Sequence, residues 1–200
     1  MLEVEGVSYR HTKHTWLFRN LSLSIAPGEI VGLYGKSGSG KTTLAQVIAN
    51  YLEPAEGIVK VNEQKVEFTG PSPVQLVWQH PEKAINPRWK MNKVLAEGGN
   101  VDSSILDALG IAPSWMTRYP SELSGGELQR FCVARALGPH TEYLIADEMT
   151  SMLDSITQAQ IWHTILQIAK ERPLGVLVIS HEKQLLERIC DRVLDFNQLH

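Results

Sequence analysis

Three things are scarce in this chain, and each scarcity removes a class of explanation. Cysteine occurs twice in 200 residues, as Cys132 and Cys190. Two widely spaced thiols make neither a metal-ligand pattern nor a disulfide framework, so both read as small core residues. Positive charge is in deficit, with 19 Lys and Arg against 22 Asp and Glu and a net charge of -3. A nucleic-acid binder normally carries a basic stripe or a strong positive excess, so no nucleic acid is expected as a partner. Long apolar runs are missing as well. No stretch approaches the roughly 20 residues that span a bilayer, and the N-terminus has no basic segment followed by an apolar one. The chain is therefore expected to be soluble and cytoplasmic. Internal repeats and low-complexity segments are absent too. What remains, at 43% hydrophobic and 20% charged residues, is the composition of an ordinary globular protein. Its length suits one domain rather than two.

What the chain does have is Gly35-Lys36-Ser37-Gly38-Ser39-Gly40-Lys41-Thr42-Thr43, which fits G-x-x-x-x-G-K-[ST] at every position. The apolar run from Ile30 to Tyr34 ahead of it reads as a strand. Behind it Leu44, Val47, Ile48, Tyr51 and Leu52 recur at helical spacing and predict an amphipathic helix over 44–52. Strand, glycine loop and helix form the context in which this motif binds phosphate. The glycines let the backbone turn tightly enough to aim successive N–H groups at phosphate oxygens, and the new helix adds its positive dipole end. Lys41 then reaches the β- and γ-phosphates, and the Thr42 hydroxyl meets Mg²⁺. The plainer reading is a glycine-rich turn with a surface lysine, and strand, helix and hydroxyl in register weigh against it.

Around this centre strands alternate with helices. Leu2 and Val4, then Leu21, Leu23 and Ile25, are apolar at period two, the mark of strands with one buried face. Tyr9 lies in the first of these, and at this point it is equally a packing residue or a ring that stacks on a purine. Gly57–Val61 and Lys65–Phe68 predict two short strands, and Val74–Trp78 a third that ends at Gln79. From His80 to about Pro120 prolines scatter, Gly98-Gly99 breaks the pattern and Ser103–Leu109 reads as helix, which together suggest a small helical insertion. Ser124 followed three residues later by Glu127 is a capping box, so a helix starts there. Tyr143–Ala146 predicts a strand ending in Asp147-Glu148. A loop through Asp154 leads to a helix over 155–171, and Gly175–Ile179 is a buried strand closing on Ser180-His181. A last helix and a short strand around Val193–Phe196 follow. Such alternation predicts an α/β fold with a largely parallel sheet whose carboxyl ends hold the ligand. The phosphate loop, Gln79, Asp147-Glu148 and His181 all fall at such ends.

Singly these features have ordinary explanations: a solvated carboxylate pair, a Ser-Gly-Gly turn, a surface histidine. Their order is more telling. The phosphate loop, Gln79, Leu123-Ser124-Gly125-Gly126-Glu127-Leu128-Gln129-Arg130, Tyr143–Glu148, Ser151-Met152-Leu153-Asp154 and His181 follow one another along the chain. This succession resembles the nucleotide-binding subunit of ATP-binding cassette (ABC) transporters over essentially the whole length. Gln79-His80-Pro81, Ile85-Asn86-Pro87-Arg88 and Arg118-Tyr119-Pro120-Ser121-Glu122-Leu123 are similar to the dipeptide, oligopeptide and nickel importer branch.

That resemblance implies a phosphate-loop (RecA-like) core of mostly parallel sheet, with N-terminal antiparallel strands and a small helical subdomain. It implies one domain over 1–200, with 1–79 and 138–200 as the nucleotide-binding core and 80–137 as the helical signature subdomain. The implied ligands are ATP and Mg²⁺, and the implied reaction is ATP hydrolysis. Tyr9 would stack on adenine. Gly35, Lys36, Ser37, Gly38, Ser39, Gly40, Lys41, Thr42 and Thr43 would hold the phosphates, and Asp154 belongs with the nucleotide-binding residues. Thr42 and Gln79 would bind Mg²⁺, with Asp147 directly or through water. Glu148 would polarise the attacking water, with His181 and Lys41 as its catalytic companions. Ser124, Gly125 and Gly126 would grip the γ-phosphate held by an opposite subunit, since a phosphate loop by itself leaves the far face of that phosphate open to water. ATP would then close a head-to-tail dimer with a second ATPase subunit, and a heterodimer is slightly favoured over a homodimer. Membrane permease subunits would dock near Gln79–Trp89. A solute-binding protein would act indirectly, and the cassette would sit at the cytoplasmic face of the membrane.

Departures from the pattern qualify this. Met149 stands where a proline usually follows the catalytic glutamate, Met152 replaces the usual alanine, and His80 replaces a frequent aspartate; altered loop stiffness is the expected result. The chain stops soon after Phe196, so no cluster or regulatory domain is expected. His11, His14 and His80 lack metal-ligand spacing and read as exposed loop histidines. Two rivals are a soluble non-transporter ABC ATPase acting in DNA repair or on the ribosome, and a phosphate-loop kinase. The absence of a long coiled-coil insertion or a second cassette weighs against the first, and the Leu-Ser-Gly-Gly motif with Asp147-Glu148 against the second.

Overall fold

The computed structural model describes residues 1–12, 15–66 and 71–199. Two long strands, β1 (Leu2–Thr12) and β2 (Thr15–Ile25), precede β3 (Ile30–Tyr34) and helix α1 (Lys41–Ile48). Strands β4 (Glu56–Val61), β5 (Gln64–Lys65) and β6 (Val74–Val77) follow, then helices α2 (Met91–Ala96), α3 (Ser103–Ala108) and α4 (Gly125–Ala136). The chain continues through β7 (Tyr143–Asp147), α5 (Ser155–Glu171), β8 (Gly175–Ser180), α6 (Lys183–Ile189) and β9 (Arg192–Asp195).

These strands form two sheets. One is antiparallel in the order β2-β1-β4-β5, and the other is β6-β7-β8-β3-β9 with every pairing parallel. The expected α/β architecture is the observed one. Side-chain alternation along the parallel strands divides the core in two. Tyr143 and Ile145 of β7 and Leu177 and Ile179 of β8 pack with α1 and the antiparallel sheet. Leu144, Ala146, Val176 and Val178 pack with α4 and α5. With both faces covered, the strands need apolar residues at every position, which is why they read as continuous runs. Burying one Leu or Ile here contributes roughly 1.5–3 kcal/mol relative to exposure. The parallel sheet is thus a stiff platform whose carboxyl edge carries Gly35, Trp78-Gln79, Glu148 and His181.

Several local expectations are corrected. Apolar spacing predicts a helix over 44–52, but α1 opens at Lys41 and closes at Ile48. Asn50 takes φ 61°, and Tyr51 is 56% exposed with its ring edge-on to Trp78 at 5.6 Å. Asparagine tolerates the left-handed turn and ends the helix before the apolar spacing does. The second hairpin strand is β5, Gln64–Lys65; of the predicted Lys65–Phe68, Glu67 and Phe68 lie outside the described residues. The insertion holds α2 as well as the anticipated α3, with Met91 and Val94 fully buried. Phe196 is a buried residue of the closing turn rather than the end of the last strand. Among the described residues no helix is long and apolar enough to cross a membrane. Cys132 is buried and Cys190 half-buried, both thiols pushed up to about 12 by burial.

Candidate functional site

The loop between β3 and α1 turns through Gly38 at φ 77° and Gly40 at φ 111°, a region that side chains with a Cβ rarely enter. A Cβ at Gly40 would also lie 3.0 Å from Leu17 Cγ, a tight approach that adds to the strain of its φ. Gly40 is the N-cap of α1 and brings no side chain to it, which leaves the first N–H groups of the helix facing outward. Lys41 is only 5% exposed, and its Nζ donates to the carbonyls of Gly35 (2.7 Å) and Lys36 (2.9 Å). Burial lowers its pKa, while the charges of Glu148 and Asp147 pull the other way.

Opposite the loop, β7 delivers two carboxylates. Asp147 is 4% exposed, and burial raises its pKa against the opposing effect of a hydrogen bond from Thr42. Its Oδ1 is buried without a protein partner. Glu148 stands at φ 48°, held in that turn by its N–H on the carbonyl of Ile179 at 3.0 Å. Its carboxylate lies 3.2 Å from His181 Nδ1 on one side and accepts from Gln79 Nε2 at 3.4 Å on the other. Gln79 Nε2 also reaches Ser151 Oγ at 3.1 Å, and Ser151 Oγ donates to the Glu148 carbonyl at 2.9 Å. Strand order explains the meeting: β6, β7 and β8 are neighbours, so the residues following their last pairs come together.

An open cavity of about 500 Å³ lies between these groups. Its floor is Ser37, Gly38 and Gly40 to Thr43, one wall is Gln79 and Glu148, and the other is His11 with Leu17. Sequence reasoning missed that last wall. His11 is exposed, as expected, but it sits in β1 rather than in a loop, and the β1–β2 pairing that brings it beside Leu17 is irregular, with several register shifts. Tyr9, named from the resemblance, does not line the cavity. Its ring packs on Phe18 at 6.2 Å and meets His11 edge-on at 5.2 Å. His80 pairs with Glu82 at 3.2 Å, and His14 lies outside the described residues. Among the described residues no group of three or more His, Cys, Asp or Glu could hold a metal ion.

Two other expected groups lie away from this cavity. Asp154 is the N-cap of α5, accepting from the N–H groups of Ile156 (3.1 Å) and Thr157 (3.0 Å), and those bonds lower its pKa. Ser124 caps α4 in a reciprocal box with Glu127, at 3.3 and 2.7 Å. Gly125 beside it is exposed, and a Cβ there would meet nothing within 4 Å. That helix end is a second cluster of N–H groups, and its residues do not line the cavity over the phosphate loop.

A family model described as ABC transporter matches residues 18–151. A putative oligopeptide transport ATP-binding protein of Bacillus subtilis is 32% identical, the match covering 86% of this chain and 59% of the relative. A putative peptide import ATP-binding protein of Brucella ovis is 31% identical, covering 97% and 68%. An oligopeptide transport ATP-binding protein of Streptococcus mutans is 31% identical, covering 96% and 70%. The chain thus spans 59% of the length of the Bacillus relative and little more than two thirds of the others. Among solved structures, a dimeric bacterial ABC transporter cassette superposes with TM-score 0.83 at 24% identity, covering 98% of this chain and 94% of that one. At that identity the likeness speaks for the fold.

Proposed function

The chain belongs to the ABC transporter family, and from that premise we propose that it is the ATP-hydrolysing subunit of an importer, powering uptake of peptides through a separate membrane permease. One observation carries the reading: a glycine loop with outward N–H groups and a carboxylate held between Gln79 and His181 face each other across one cavity. The relatives' peptide and oligopeptide names favour transport over a soluble non-transporter ATPase. Nickel chelates, the other cargo of the resembling branch, have no support among those names.

In this reading the backbone of Gly35–Gly40 and the α1 N-terminus bind the phosphates, and Lys41 turns from the loop carbonyls to the β- and γ-phosphates. Glu148 accepts a hydrogen bond from the attacking water and orients it toward the γ-phosphate. His181 steadies that carboxylate and donates to the phosphate or the water. The Thr42 hydroxyl and the Gln79 Oε1 line the cavity, and Asp147, hydrogen-bonded by Thr42 and with its Oδ1 unpartnered, lies beside them; hard oxygen donors of this kind suit Mg²⁺. When bound, the ion would neutralise phosphate charge. The base lies against His11 and Leu17, with Tyr9 bracing His11 from behind.

The Ser124-Gly125-Gly126 face, exposed at Ser124 and Gly125, serves the γ-phosphate of a second ATPase subunit, identical or related, so that two incomplete pockets complete each other head to tail. Residues 80–137 act as the helical signature subdomain within a core of 1–79 and 138–200. The permease docks near Gln79–Trp89, where Glu82, Lys83 and Asn86 to Arg88 are exposed, at the cytoplasmic face of the membrane, and a solute-binding protein supplies cargo to that permease. The deciding experiment is Glu148→Gln. It should bind ATP, lose hydrolysis roughly a hundredfold or more and accumulate as a closed dimer in size-exclusion chromatography with ATP; full turnover by this variant would end the assignment.

A further inference from the structure

The loop from Glu148 to Asp154 is held by a device that the reaction described above does not use. Glu148 occupies the left-handed region at φ 48°, which a residue with a side chain keeps only when its surroundings impose it. Its successor is Met149, buried at 2% exposure, whose unbranched, flexible side chain does little to stiffen the turn. Thr150 comes next, 3% exposed, and its Oγ1 accepts two hydrogen bonds from one face of α5. Trp162 Nε1 donates at 3.1 Å and Gln158 Nε2 at 3.1 Å, four residues apart and so one helical turn from each other. Trp162 is 4% exposed, and a buried indole N–H demands a partner. Leu153 N–H closes the turn on the Thr150 carbonyl at 3.1 Å. Pinning Thr150 also sets Ser151, whose hydroxyl touches both the Glu148 carbonyl and the Gln79 amide.

We propose that Trp162, acting through the Thr150 hydroxyl, is a positioning residue for the Glu148 carboxylate. α5 supplies by two side-chain hydrogen bonds the stiffness that Met149 does not. The chain of contacts is short: indole N–H to Thr150, Thr150 to Ser151 along the backbone, Ser151 to Glu148 and Gln79. Nucleotide binding, which the glycine loop carries from the other side of the cavity, is independent of it. The proposal rests on the ATPase reading for its kinetic consequence.

The test uses the full chain and three substitutions, Trp162→Phe, Thr150→Val and Thr150→Ser. Steady-state hydrolysis should show kcat lowered about five- to thirtyfold in Trp162→Phe and Thr150→Val, with KM within about twofold, because a small misplacement of a catalytic group acts on the transition state and not on binding. Thr150→Ser, which keeps the hydroxyl, should restore kcat to within about twofold of the unaltered chain. The double variant Trp162→Phe/Thr150→Val should be no slower than the slower single, since Thr150→Val already removes the bond that Trp162→Phe removes. Amide hydrogen exchange should rise over 148–153 in Trp162→Phe while the 35–43 loop keeps its protection. Unchanged kcat with a lowered Tm, loss of kcat and affinity together, or multiplicative singles would overturn the proposal. So would unchanged exchange over 148–153, even if the unaltered chain proved unable to hydrolyse ATP, an outcome that would instead remove the functional reading.

Discussion

Nδ1 of His181 lies 3.2 Å from Oε1 of Glu148, although the two are 33 positions apart in the chain. Parallel pairing of β7 with β8, with Asp147 opposite Ile179, brings the two strand ends to the same height and makes the contact. The Glu148 side chain, which lines the cavity, is 19% exposed, and the histidine beside it is 51% exposed. His181→Ala should therefore leave ATP affinity within about threefold and reduce kcat by roughly 10²–10³, the range seen when one donor to a developing charge is removed. Calorimetric titration and single-turnover hydrolysis would separate the two effects; a large loss of affinity would move His181 from catalysis to binding.

Asp147 offers a pH test. Burial raises its folded pKa above the ordinary carboxylate value. In the window between those two values the folded chain binds more protons than the unfolded one, so stability falls as pH climbs through it and stays flat above. Asp147→Asn, neutral throughout, should unfold at a Tm about 2–6 °C higher near pH 8, with the gap closing toward acid pH. The same variant should lose Mg²⁺-dependent hydrolysis. A variant less stable at every pH would contradict the burial argument.

Gly125 separates folding from assembly. Because a Cβ there meets nothing within 4 Å, Gly125→Ala should fold normally, its Tm within about 2 °C. If the face it belongs to closes over another subunit's γ-phosphate, the same substitution should abolish the ATP-dependent dimer in the Glu148→Gln background. Light scattering with and without ATP reads this directly, and a dimer that survives intact would exclude that face from the interface.

The base seat makes a further distinction. His11→Ala should weaken ATP binding about three- to tenfold, the scale of one lost stacking contact on a base. Tyr9→Leu should have a smaller effect, because the tyrosine ring packs on Phe18 behind the histidine. Titration of a fluorescent ATP analogue would rank the two, and the reverse order would restore Tyr9 as the direct contact.

Local, contiguous features were readable from the chain itself. Gly35–Thr43 between an apolar run and a helix, the Ser124–Glu127 box and the buried strands Tyr143–Ala146 and Gly175–Ile179 each depend on residues within one turn or one strand, and backbone sterics and solvent translate them directly into structure. The α/β alternation followed, and with it the edge where Gln79, Glu148 and His181 would be found. The end of α1 was misjudged because the left-handed turn at Asn50 outweighs an apolar spacing that runs on to Leu52. Contacts between distant segments belong to the tertiary structure. His11 and Leu17 reach the cavity only because β1 and β2 pair with shifted register, and Gln79 finds Ser151 only because β6 and β7 lie side by side. Trp162 finds Thr150 because α5 folds back over the loop that precedes it. Side-chain period says which face a residue is on; only the packed sheet and its covering helices say what that face meets.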